Sequence, residues 1–129
     1  VIRSWTGVKI MALTEFGKAV RIARLQTDQT LLSMAEELEV SPAFLSGLEN
    51  GRKKVSKKWV KQIRNFFENK GYQIQELQEL ADISNEFVEL DGLSMQQKML
   101  VAGFAKSPLT PEQLKKMADL LKRVNDSGE

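Results

Sequence analysis

The segment Ser41 to Gly51 constrains the fold of this chain more than any other. Ser41 is a good N-cap, and Pro42 suits the first helical position, where its missing N–H would have had no partner. Asn50-Gly51 closes the segment with residues that readily enter the left-handed conformation. Between them Phe44, Leu45 and Leu48 give an apolar side, and the remaining positions are small or polar. This predicts a short capped helix entered through a Val40-Ser41-Pro42 turn.

The same grammar extends in both directions. Thr14 can cap a first helix with Phe16, Val20 and Ala23 on one face. Asp28 and Gln29 interrupt it, and Thr30 can cap a second helix carrying Leu31, Met34, Ala35 and Leu38. A fourth helix is predicted after Ser56, with Trp59 or Val60, Ile63, Phe66 and Phe67 on its apolar side and Lys70-Gly71 at its end. Ile74, Leu77, Leu80 and Ala81 suggest a fifth helix, and Glu86 to Leu90 reads as either a short strand or a helical turn. Ser94 caps a helix through Met95, Met99, Leu100, Ala102 and Phe104. Thr110-Pro111-Glu112-Gln113 opens a last one carrying Leu114, Met117, Leu120, Leu121 and Val124, with residues 125–129 as a frayed tail. The fold class expected is all-α.

Composition narrows the chemistry. The chain has 129 residues, 42% of them hydrophobic and 28% charged, which suits one compact domain with an appendage. It contains no Cys and no His, so disulfides, thiolate metal sites, cysteine nucleophiles and the commonest general base are all excluded. No cofactor and no metal site are expected, and an enzyme is not. No apolar run approaches the roughly 18 residues that span a bilayer, and Val1 to Ile10 does not read as a signal peptide. A cytoplasmic protein without a membrane partner is therefore expected. Met11 fits a natural start, which leaves residues 1–10 as an extension or flexible arm.

Charge divides the chain. Up to Gly71 there are 13 Lys and Arg against 7 Asp and Glu, or +6; from Tyr72 there are 6 against 10, or −4, giving the net +2. Most of the excess sits in one place: Arg52, Lys53, Lys54, Lys57, Lys58, Lys61 and Arg64 fall within thirteen residues that hold no acid. Like charges so crowded repel one another unless a polyanion neutralises them, which points to nucleic acid. By contrast, Glu76, Glu79 and Asp82 share a helical face without any sign of a pocket, and read as a solvated acidic surface. Trp59, beside Ile63 and Phe66, reads as core, and Met95 and Met99 as packing.

From Gly17 to Phe67 the chain resembles the Cro and phage-repressor type of helix-turn-helix domain, the XRE family. Gly17, Val20, Arg21 and Arg24 match the family's first helix, Thr30 and Ala35 its second, Leu38 and Val40 the turn, and Ser41, Leu45 and Leu48 the recognition helix. Glu49-Asn50-Gly51 matches its ending. The resemblance implies a lambda-repressor-like domain over residues 11–71, followed by a helical dimerisation or interaction region over 72–129. It also implies a bridge between Arg24 and Glu49, and a base-facing set of Pro42, Ala43, Ser46 and Gly47. Phosphate contacts are expected from Ser41, Arg52, Lys53, Lys54, Lys57 and Lys58. The base-facing set has little hydrogen-bonding capacity, Leu31 replaces the family's phosphate-positioning Gln, and Glu39 stands where a turn glycine is usual, which costs about 1 kcal/mol if it is held in a left-handed conformation.

The function expected is that of a sequence-specific double-stranded DNA-binding transcriptional regulator, a repressor acting as a homodimer. Leu100, Phe104, Leu114, Met117 and Leu121 are the expected dimerisation residues, because two short amphipathic helices can hardly bury both faces alone. The alternative is an antitoxin-like or adaptor protein whose acidic second half binds a protein partner while the helix-turn-helix autoregulates its operon.

Overall fold

A computed structural model describes residues 13–127. The proposed extension at residues 1–10 lies outside them. The described residues are all-helical, in the order α1 (Glu15–Gln26), α2 (Leu31–Leu38), α3 (Pro42–Glu49), α4 (Lys57–Glu68), α5 (Leu77–Asn85), α6 (Met95–Lys106) and α7 (Pro111–Ser127). They fall into two compact units divided between Val88 and Glu89.

In the first unit, hydroxyl caps start the helices where the sequence places them. The side chains of Thr14, Thr30, Ser41 and Ser56 accept from the backbone N–H groups of Gly17, Ser33, Phe44 and Trp59. Each satisfies an amide that has no partner within its own helix. Helix α1 packs on α3 and α5, α2 on α3, and α4 on α5. Phe16, Val20, Ala23, Met34, Ala35, Leu45, Leu48, Val60, Ile63, Phe66 and Phe67 form the core, and burying each of the larger ones contributes about 1.5–3 kcal/mol.

One close approach and one left-handed turn fix this arrangement. A Cβ on Gly17 would lie 2.1 Å from the backbone oxygen of Glu49 and 2.8 Å from its carbon, so α1 meets the end of α3 with no room for a side chain. The turn between α2 and α3 is closed by Glu39 at φ 61°, ψ 42°. At the position of the missing glycine the backbone is left-handed, and glutamate bears the cost.

Helix α5 corrects the boundary drawn at Gly71. Ile74, Leu77 and Ala81 are buried in the same core as α1 and α4, so residues 72–88 belong to the first unit and not to a separate C-terminal region. The residue before α5, Glu76, lies at φ 55° and makes no side-chain cap. The ambiguous stretch from Glu86 to Leu90 is neither strand nor helical turn. Glu86 ends α5 in the left-handed conformation, at φ 56°, and the chain then continues without regular structure.

The second unit holds α6 and α7. Both begin with a capping box, Ser94 with Gln97 and Thr110 with Gln113. None of its described residues is buried. Met95, Met99, Leu100, Val101 and Phe104 on α6, and Leu114, Met117, Leu120, Leu121 and Val124 on α7, are between 39% and 69% exposed. Among the described residues no helix is long and apolar enough to cross a membrane.

Candidate nucleic-acid interface

Helix α3 is held from behind. Arg24 and Glu49, 6% and 4% exposed, form a bidentate salt bridge: Nη1 donates to Oε2, and Nη2 to Oε1 at 3.2 Å. The pair expected from the resemblance is therefore in place. Arg24 Nη1 also reaches the Met34 sulfur at 3.8 Å, which ties α2 into the same joint. The Glu49 carbonyl accepts from both the amide and the hydroxyl of Thr14, each at 2.9 Å. Such a joint works as a unit, because removing one charge leaves the other buried and unpaired.

With Leu45, Leu48 and Glu49 turned inward, the first turn of α3 is left open. Ser41, Pro42 and Ala43 are exposed, and the Ser41 hydroxyl accepts from the Phe44 amide at 3.0 Å. Ser46 is half-buried, and its hydroxyl accepts from the Asn50 side-chain amide at 3.4 Å. Phe44 packs its ring against Trp59 of α4, with centroids 5.1 Å apart. Trp59 is thus partly occupied by packing, in line with its reading as core.

Gly47 departs from the expectation that it is an open base-facing position. It is buried. The cause is Lys53, whose Cγ, Cδ and Cε lie 3.2, 3.2 and 3.4 Å from where a Gly47 Cβ would be. The Lys53 amide also donates to the Gly47 carbonyl at 3.0 Å, which brings the loop back over the helix. A bare Cα leaves a slot, and a four-carbon stem fills it.

The basic loop between α3 and α4 is anchored by residues that sequence reasoning did not single out. Val55 is buried, and its amide and carbonyl bond the Asn85 side chain at 2.8 and 2.9 Å, much as a neighbouring backbone strand would. One residue earlier, the Ser84 hydroxyl accepts from the Phe16 amide at 3.2 Å. The end of α5 therefore braces both α1 and the loop. The only sign in the sequence was a Ser-Asn pair at a helix end, a common capping composition.

The cations divide by environment. Arg52 donates from its amide and its Nε to Asn50 Oδ1 at 3.1 and 3.2 Å, and stays exposed. Lys54, expected among the phosphate contacts, donates to the Asn85 carbonyl at 2.7 Å instead. That is a favourable seat at the negative end of α5. Lys57, Lys58 and Lys61 are exposed, Arg64 is half-buried, and Lys58 Nζ lies 5.7 Å from the Trp59 ring. Lys57 and Lys58 stand in the first turn of α4, which carries no acid. Cations at the positive end of a helix cost about 0.3–1 kcal/mol each.

The expected dimerisation residues all lie open in the single chain: Leu100 is 67% exposed, Phe104 46%, Leu114 44%, Met117 43% and Leu121 62%. No protein-family model matches the sequence, and searches of curated proteins and of solved structures likewise return no match.

Proposed function

We propose that this chain is a double-stranded DNA-binding transcriptional regulator of the Cro and phage-repressor type, a repressor that acts as a homodimer. The observation that carries the reading is the acid-free run of seven cations from Arg52 to Arg64, beside an α3 whose first turn is open. The buried Arg24–Glu49 bridge, the left-handed Glu39 between α2 and α3, and the glycine contact at Gly17 support it. In this reading α3 enters the major groove while the loop and the start of α4 hold phosphates. Backbone contacts and DNA shape then supply much of the recognition.

A dimer would occupy two half-sites roughly 34–36 Å apart and block polymerase. The second unit supports dimerisation: Leu114, Met117, Leu121 and Val124 recur at the 3-4-3 spacing of a coiled-coil seam, with Lys115, Lys116, Asp119, Lys122, Arg123 and Asp126 off that seam. Selecting bound duplexes from fragmented genomic DNA at near-physiological salt tests the reading. Enrichment of a two-fold symmetric site is expected, and recovery of no fragment above background would refute it.

The open apolar surface of α6 and α7 also favours a second reading, in which this unit binds a different protein and the first unit regulates the shared operon. A stoichiometric protein partner held by residues 89–129, in place of a homodimer of the full chain, would establish that alternative.

A further inference from the structure

The outward face of α3 presents a chemical problem to any reading in which it meets base edges. At 100° per residue, Ala43 and Gly47 lie opposite the inward stripe of Leu45, Leu48 and Glu49. Neither has a polar side-chain atom, and the nearby Ser46, whose hydroxyl accepts from Asn50 and keeps a single O–H to donate, is half-buried. A guanine edge in the major groove offers the two acceptors O6 and N7, which Lys or Arg usually meets. No such residue lies within α3.

Lys53 supplies one from outside the helix. Three successive carbons of its stem run within 3.2–3.4 Å of the point where a Gly47 Cβ would sit. The ammonium is one further bond away, about 1.5 Å beyond Cε. The stem therefore lies over the outer face of α3, in the space of a residue-47 side chain, although it comes from the following loop. The loop is fixed in that path by the Lys53 amide on the Gly47 carbonyl and by Asn85 on Val55. Among the described residues, Lys53 makes no ion pair, and no hydrogen bond is shown for its ammonium.

We infer that Lys53 is the base-reading residue of this protein: its ammonium, carried over Gly47, donates to O6 and N7 of a guanine in each half-site. This rests on the DNA-binding reading proposed above and assigns specificity to a residue that the charge run alone would class with the phosphate contacts. Gly47 leaves room for this path, since even a methyl there would lie 3.2 Å from the stem.

Selection from a random duplex pool with the full-length wild type, Lys53→Met and Lys58→Met tests it. Methionine keeps an unbranched stem of similar length over Gly47 and removes the charge. The wild type is expected to select a site with an invariant guanine in each half, and to bind that site roughly tenfold tighter than one with the guanine replaced. Lys53→Met should lose that guanine preference and keep the other columns, whereas Lys58→Met should keep all columns and bind every duplex more weakly. If Lys53→Met selects the same guanine with the same discrimination, Lys53 is a phosphate contact and the inference is overturned alone. If the wild type binds duplexes without selecting any site, base reading is overturned and only backbone binding survives. If the wild type binds no duplex, the DNA-binding reading falls, and this inference with it. Circular dichroism of the variants, unchanged from the wild type, separates these outcomes from misfolding.

Discussion

The two units use the same helix-start chemistry and reach opposite ends. Thr14, Thr30, Ser41 and Ser56 open helices that close around a sealed core, with Phe16, Phe67 and Met34 at 0% exposure. Ser94 and Thr110 open helices just as regular, yet Met95, Met99 and Leu100 remain more than two-thirds exposed. Capping therefore decides where a helix begins and says nothing of what covers it. Most helical stability in proteins comes from packing an apolar face, so the second unit has the local part of its stability and lacks the tertiary part. In the proposed dimer a second copy of the chain provides it.

Substitutions in the two units should break or sharpen that contrast. The largest effect is expected from Arg24→Met, which leaves the Glu49 carboxylate buried without its partner. Unfolding in urea should show a loss of about 3–5 kcal/mol. An unchanged midpoint would mean that the joint behind α3 does not hold the first unit. Next comes a matched pair of glycines. Gly17→Ala drives a methyl into the Glu49 backbone and should cost about 1–3 kcal/mol or more. Gly103→Ala, in α6 with nothing within 4 Å, should be neutral or gain up to about 1 kcal/mol of helix stability. Equal losses at both sites would erase the distinction between the units.

Leu121→Asp separates them through association. It should leave the fold of the first unit intact, because Leu121 is 62% exposed, and convert the proposed dimer to monomer in sedimentation equilibrium. A variant that still sediments as a dimer would move the interface off α7. A smaller effect is expected at the turn of the first unit. Glu39→Gly relieves a left-handed glutamate and should raise stability by up to about 1 kcal/mol, visible as a rise in Tm.

Much of this architecture was legible in the residues themselves, because hydroxyl caps, first-turn prolines and αL residues act within a few positions of where they stand. Ser41-Pro42 and Thr110-Pro111 each mark a helix start that the structure shares. The Arg24–Glu49 pair was reachable only through resemblance, since nothing local links residues so far apart in sequence. Helix α5 was legible as a helix, but its place in the first unit was not. Glu76, the residue before it, offers no side-chain cap, and the helix's membership in the first unit depends on Leu77 and Ala81 meeting α1 and α4. The roles of Asn85 and Lys53 were equally hidden. One imitates a strand against Val55 and the other fills the slot of a glycine, and both depend on the path of a loop in space.

Binding of the full chain to duplex DNA across a range of salt concentrations tests the central claim most directly, because only phosphate neutralisation gives a steep dependence. If each half of a dimer neutralises about three phosphates, log K falls against log salt with a slope of about −5. A nearly flat line would show that the basic run from Arg52 to Arg64 does not grip a polyanion, and would contradict the DNA-binding reading.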